Sequence, residues 1–272
     1  MKGRVGFIGA GNMANSLISG LLMGGVKCEN ILASSPEKNH LRILQDLHNV
    51  QVSFENKDVV ESCSTLVIAV KPDVIKLVLN EINSLIRKKN HLIISIAAGV
   101  KIREIEKIIG KKSKIIRCMP NTPASVGKSV TAICNNTSTK QEDVNTALKI
   151  FNSIGVCYQM KEKFFDLFTS LIGSGPAYIF YIIEIFEKIA KDFGFGEKKT
   201  RELVLEMIMG STSLAKSSDE KVKLLRKKVT SPKGVTEKAI EVLESKQVAL
   251  SFEKAIREGE KRSAALGEKE DA

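Results

Sequence analysis

The fold turns on residues 5–14, VGFIGAGNMA. An apolar run of strand length, Val5 to Ile8, leads directly into Gly9-x-Gly11-x-x-Ala14, after which the pattern becomes helical. A bare G-x-G-x-x-A says little, because glycine is common. The same match between a strand and a helix, at the head of an alternating series, is the context a dinucleotide fingerprint requires. Gly9 supplies the tight turn, Gly11 lets a pyrophosphate approach the backbone, and Ala14 lets the helix pack close to the strand. The amides that open the helix then face the phosphates. A glycine turn that binds nothing fits the motif but gives no reason for its setting.

Outward from this turn, RVGFIG, NILAS, TLVIAV, HLIISIA, KIIRCM and SVTAIC share strand length and β-branched content, and amphipathic stretches such as 72–87 and 101–109 follow the earlier ones. That alternation predicts βαβ units, a parallel sheet and helices on both of its faces. Beyond residue 163, helical periods take over, at 164–193, 197–217, 219–229, 235–246 and 248–265. The expected architecture is α/β: a Rossmann-type doubly wound sheet over residues 1–160, then an all-helical domain over 161–272. The tail GEKEDA is expected to fray.

The end of the second strand bears on the cofactor. A site for NAD places an acid there to hold the ribose 2′-hydroxyl. Here the sequence is ILASSPEKNHLR: Ser34 and Ser35 offer small donors, Lys38 and Arg42 lie close by, and the first acid, Glu37, follows the proline. Nothing repels a 2′-phosphate, so NADP(H) is favoured and NADPH is the expected reductant. NADH stays open as a substitute if Glu37 turns inward.

Composition excludes several classes. The net charge of +11 over 272 residues suggests nucleic acid, but there is no Trp and only three Tyr, so aromatics do not interleave with the cations to stack bases. The excess lies in residues 1–160, with 21 Lys and Arg against 12 Asp and Glu; solvated helix faces and attraction of an anionic cofactor both account for it. Five widely spaced cysteines form no C-x-x-C pair, which argues for reduced thiols and against a metal centre. Asn12, Asn15 and several glycines interrupt the apolar start, unlike a signal peptide, and no uncharged apolar run reaches about 18 residues. A cytoplasmic protein without a membrane span is expected.

Taken in order, FIGAGNMA, ASSP, AVKPD, SIAAGV, RCMPNTPA, LIGSGPAYIF and VTSPKGVT make the chain closely resemble the pyrroline-5-carboxylate reductase family over nearly its whole length. The resemblance implies hydride transfer to the C=N carbon of Δ1-pyrroline-5-carboxylate to give L-proline, the last step of proline biosynthesis. It also implies a helical dimerisation domain and an active site in the cleft between the domains. Gly9, Gly11, Asn12 and Met13 would line the pyrophosphate, Ser34 and Ser35 the 2′-phosphate, and Asn56 the adenosine ribose. Ala69, Val70, Lys71 and Pro72, with Ala97 and Ala98, would follow the cofactor toward its nicotinamide; their positions at the carboxyl ends of strands agree. Pro120 and Pro123 stiffen a loop able to hold Asn121 at the nicotinamide end, or simply to join two strands. Gly173, Ser174, Gly175 and Pro176 all weaken a helix interior, which implies close packing there by a ligand or a partner helix.

By the same resemblance, the loop SPKGVT holds the substrate carboxylate on backbone amides around Ser231 and Gly234, Val235 covers the ring, and Thr236 reaches the ring nitrogen. Thr236 is then a catalytic residue by position, since a hydroxyl is too weak an acid to supply the proton. Lys233 departs from the commoner SPGG form and puts the match of the loop backbone in question. A plain capped helix fits the loop taken alone. Glu162 matches an acid that contacts product in the family, and reads equally as a solvated boundary residue. The assembly expected is at least a dimer, and the family suggests rings of dimers, up to a decamer of dimers. Two rivals are a β-hydroxyacid dehydrogenase or imine reductase of related fold, whose interdomain lysine is replaced here by GSGPAY, and a silent NADP-binding regulator.

Overall fold

The computed structural model describes residues 3–268; most of the tail expected to fray, 269–272, lies outside them. The chain divides into two compact units, residues 3–174 with 258–268, and residues 175–257. The sheet ends at Gln159, beside the expected boundary, but the chain stays with the first unit to Ser174. The reason is packing: Phe165 and Phe168 are buried in the same core cluster as the sheet.

The first unit holds one eight-stranded sheet in the order β3-β2-β1-β4-β5-β6-β7-β8. The strands are β1 Val5–Ile8, β2 Ile31–Ser34, β3 Gln51–Ser53, β4 Thr65–Ile68, β5 Leu92–Ser95, β6 Lys114–Met119, β7 Ser129–Asn135 and β8 Gly155–Gln159. Helices α1 Asn12–Met23, α2 Lys38–His48, α3 Asn56–Ser62, α4 Ile75–Ile86, α5 Ile102–Ile109 and α6 Gln141–Asn152 join them. Successive strand residues serve opposite faces. Phe7, Val67, Ile94 and Ile116 pack in one cluster with Leu17, Leu41 and Ile150, while Ile8, Ile68, Ile93 and Ile115 pack in another with Val59, Leu79 and Ile105. Covering both faces in this way makes the sheet doubly wound.

One expectation needs correction: the sheet is not parallel throughout. The first six strands are parallel, but β7 runs antiparallel to β6, and β8 follows β7. Residues 120–128 are too few for a parallel crossover, which takes about a dozen residues or more, so the chain must turn back.

The helix expected over 164–193 is likewise broken. After α7 (Phe165–Phe168), residues Thr169–Gly173 form a π turn closed by Ser174 N–H on Thr169 O at 2.8 Å, and α8 begins at Gly175. Pro176 is the cause, because it has no N–H for the carbonyl four residues before it.

In the second unit, α8 (Gly175–Asp192) packs against α9 (Glu197–Ser217), and α10 (Val222–Lys228) and α11 (Val235–Ser245) follow, with the start of α12 (Val248–Glu268). Thr200 and Val204 of α9 are buried, whereas Phe180, Tyr181, Ile185 and Phe186 of α8 lie open. Within Glu162–Asp192 an 18-residue window reaches a mean hydropathy of 1.3, enough to cross a membrane by length and composition alone; the segment carries Asp166 and Glu184, whereas the expectation concerned an uncharged run.

Candidate active site

The carboxyl ends of β1, β2, β4, β5 and β6 share one edge of the sheet, tied by main-chain bonds. Gly9 N–H donates to Ser34 O at 2.9 Å, Ala69 N–H to Ile8 O at 2.7 Å and Ile96 N–H to Ile68 O at 3.2 Å. The strand order reverses between β1 and β4, so the crevice beyond Gly9 and Ala69 is where ligands of open α/β sheets bind. Gly9 has φ +100°, and a Cβ there would lie 2.5 Å from Ala69 O; only glycine lets the turn pass so close. Gly11 is different. Its φ is ordinary, it starts α1 without any side-chain cap, and no atom lies within 4 Å of where its Cβ would be. The room a pyrophosphate needs is present, over amides with no side chain to serve them. Exposed Asn12 and half-buried Met13 form the first turn beside it, while Ala14 is buried against the sheet.

At the adenosine end, Glu37 is exposed and faces His40 at 3.6 Å, so no carboxylate stands at the end of β2. Ser34 is wholly buried, and its hydroxyl donates to Asn56 Oδ1 at 2.8 Å. Asn56 in turn donates Nδ2 to Glu81 Oε2 at 2.9 Å, an acid that sequence reading missed because it lies on a helix 25 residues away. The Ser35 hydroxyl accepts from Glu37 N–H at 3.1 Å and keeps its own proton to give. Lys38 and Arg42 are exposed close by in sequence.

Val70 and Pro72 are half-buried after β4 and Lys71 is exposed, in a turn closed by Val74 N–H on Lys71 O. Ala97 is buried and Ala98 half-buried after β5. Asn121 is buried and bonded at both ends of its amide: Oδ1 accepts from Val130 N–H at 2.9 Å, and Nδ2 donates one of its two protons to Ile172 O at 3.1 Å. Ile172 O is the carbonyl that Pro176 leaves without a donor, so Asn121 repairs the helix break. These bonds make it a clamp between the β6–β7 loop and the π turn.

Glu162 is half-buried and paired. Its Oε1 accepts from Arg117 Nη1 at 3.0 Å and from the Ile102 N–H that opens α5 at 2.8 Å. Arg117 is 2% exposed and stacks over Phe165, 4.7 Å from its ring centre. A buried guanidinium needs such a partner, so Glu162 has a structural role in this chain beside the contact with product that the sequence suggests. Nothing in the local sequence marks Arg117, in mid-strand, as that partner.

The second unit carries the SPKGVT loop. Gly234 N–H donates to Ser231 O at 3.0 Å, and Gly234 then starts α11 with no side-chain cap. Ser231 and Thr236 are exposed, and Val235 is 91% exposed. Lys233 takes φ +60°, the conformation that glycine holds readily, so the departure from SPGG leaves the left-handed turn in place. Two cavities of about 570 and 660 Å³, around His91 and Lys112 and around Thr65 and Lys114, lie at the amino ends of the strands and play no part in this site.

Known proteins agree with this layout. Residues 162–266 match the model of the pyrroline-5-carboxylate reductase dimerisation family, and residues 4–99 match that of the NADP oxidoreductase, coenzyme F420-dependent, family. A pyrroline-5-carboxylate reductase of Methanosarcina acetivorans is 34% identical over 98% of each chain. The chain belongs to the pyrroline-5-carboxylate reductase family. Two solved reductases of that family superpose with TM-scores of 0.90. That of Plasmodium falciparum, with NADP bound, is 31% identical over 98% of each chain; that of Coxiella burnetii is 33% identical over 98% of this chain and 99% of its own. Prephenate dehydrogenase of Aquifex aeolicus, 16% identical at a TM-score of 0.54, shares the fold alone. This member of the pyrroline-5-carboxylate reductase family is thus an oxidoreductase, its first half matching an NADP oxidoreductase and its second the dimerisation region of the family.

Proposed function

We propose that the chain reduces Δ1-pyrroline-5-carboxylate to L-proline with NADPH, the last step of proline biosynthesis. The observation that carries this reading is the intact loop Ser231–Thr236 at an uncapped helix start, in a chain whose Gly9–Gly11 turn leaves open space for a pyrophosphate. The turn residues Gly9, Gly11, Asn12 and Met13 hold the pyrophosphate. Ser35, with Lys38 and Arg42, serves the 2′-phosphate, and Ser34 acts one step behind by fixing Asn56. Ala69 to Pro72, with Ala97 and Ala98, flank the path to the nicotinamide.

When bound, NADPH would supply a hydride, two electrons with one hydrogen, to the C=N carbon of the ring, C2 in pyrroline numbering. The residues of this chain bind and orient. The first amides of α11 and the Gly234 turn accept the substrate carboxylate, as helix starts accept anions, Val235 lies over the ring, and the Thr236 hydroxyl meets the ring nitrogen. An iminium nitrogen already carries its proton near neutral pH, so the C=N π pair moves onto nitrogen as the hydride arrives and yields the amine. No histidine is needed, since the three in the chain stand at 40, 48 and 91, outside the loop. An alkoxide-forming dehydrogenase would need a cationic donor where this chain has Gly173 to Pro176.

Exposed Phe180, Tyr181, Ile185 and Phe186 of α8 call for a second copy, so the working form is a homodimer, with rings of dimers up to a decamer built on it. A membrane or nucleic acid has no part in this reading. Five free thiols suit the reducing cytoplasm. The experiment is Thr236→Ala: turnover of pyrroline-5-carboxylate should fall at least tenfold, about 1.4 kcal/mol, with NADPH affinity held. Unchanged turnover removes Thr236 from the reaction.

A further inference from the structure

The loop that the proposed function assigns to substrate contains a conflict and its resolution. Ser231-Pro232-Lys233-Gly234 closes by the bond from Gly234 N–H to Ser231 O. Proline fixes a negative φ at the second position, and Lys233 at the third has φ +60°; together these define a type II turn, whose third position favours glycine. Gly234 cannot relieve the strain by exchanging roles with its neighbour, because a Cβ on it would lie 2.9 Å from Ser231 O. What offsets the cost is Glu237. Lys233 N–H donates to Glu237 Oε2 at 2.6 Å, a charge-assisted bond.

Glu237 is the third residue of α11. A glutamate there ordinarily reaches back to the N–H of the residue that caps the helix. In this chain that N–H, on Gly234, is already used by Ser231, so the carboxylate reaches one residue farther and latches the turn itself. We infer that Glu237 is a positioning residue for the substrate: it holds the strained Lys233 turn in the one shape that leaves the Val235 and Thr236 amides and the Thr236 hydroxyl open to the ring. This rests on the reading that the loop binds pyrroline-5-carboxylate. It follows that Lys233 and Glu237 are coupled, and that glycine at 233 makes the latch unnecessary.

The test is a cycle of Glu237→Ala, Lys233→Gly and the double variant, with Glu237→Gln as the conservative change, all in the full-length oligomer. Glu237→Ala should raise KM for pyrroline-5-carboxylate about tenfold, the size of one charge-assisted bond, while KM for NADPH and the melting temperature stay put. Glu237→Gln, which keeps the acceptor and loses the charge, should fall between. Measured against Lys233→Gly alone, adding Glu237→Ala should change KM less than twofold. Amide exchange over residues 229–238, followed by mass spectrometry without substrate, should quicken in Glu237→Ala and not in the double variant. A KM unmoved by Glu237→Ala, or a rise of equal size in the Lys233→Gly background, overturns the inference. If the unaltered protein does not reduce pyrroline-5-carboxylate, the functional reading and the substrate role fall together. Exchange that is the same in Glu237→Ala as in the unaltered chain removes the latch itself.

Discussion

Gly9 and Gly11 stand two residues apart in one motif and should fail in opposite ways when each is changed to alanine. At Gly9, φ is +100° and the new methyl would meet Ala69 O at 2.5 Å and Ala69 C at 2.7 Å, both backbone atoms that cannot swing aside. The left-handed conformation costs a non-glycine residue about 1–2 kcal/mol, and forcing a methylene into packed backbone costs about 1–3 kcal/mol more. The sum, about 2–5 kcal/mol, is a large part of an ordinary domain's stability of roughly 5–15 kcal/mol, and lowers the melting temperature by roughly 5–15 °C. At Gly11, φ −76° and ψ −173° suit alanine, and nothing lies within 4 Å. Gly11→Ala should therefore melt within about 0.5 kcal/mol of the parent, yet its methyl occupies the approach of the pyrophosphate, and NADPH affinity should fall at least tenfold, about 1.4 kcal/mol. Thermal melts and fluorescence titration with NADPH read the two effects separately. Gly11→Ala binding NADPH as the parent does, or Gly9→Ala melting with the parent, refutes the division of labour.

Two further outcomes follow from buried groups. Glu162→Ala strips Arg117 of its partner and the Ile102 N–H of its acceptor; with Glu162 about one-third exposed, the cost should be about 2–4 kcal/mol, read by denaturant unfolding, while KM for pyrroline-5-carboxylate moves less than twofold in the protein that folds. A KM rise without a stability loss would return Glu162 to the substrate. Burial pushes the thiols of Cys63 and Cys157 up to about 11 and that of Cys134 up to about 12, and holds that of Cys118 well above its ordinary value. A thiol reacts as its thiolate, so these four should resist a disulfide probe at pH 8 until the chain is unfolded; rapid reaction of more than one thiol in the native protein would contradict this.

Much of the first unit was legible because its signals are local. Strands with both faces buried read as continuous apolar runs, and the glycine turn declares itself by its flanks. The two strands missing from that reading, β3 and β8, are the edges of the sheet. Gln51 to Ser53 is three residues long and polar, and β8 exposes Val156 and Tyr158, so neither has the composition of a buried strand. The reversal of β7 was written in the shortness of residues 120–128, a loop-length signal that composition does not contain.

The candidate site divides along the same line. The backbone shapes at Gly9, Gly11 and the Ser231–Thr236 loop are dictated by a few neighbouring residues, so the turns themselves were legible in the sequence. Ser34, Asn121 and Glu162 are polar side chains whose meaning depends on what they bond: Asn56 is 22 residues away, Ile172 is 51 and Arg117 is 45. A buried polar atom must find a partner wherever the packed chain brings one. Tertiary structure alone therefore decided which partners these three side chains take.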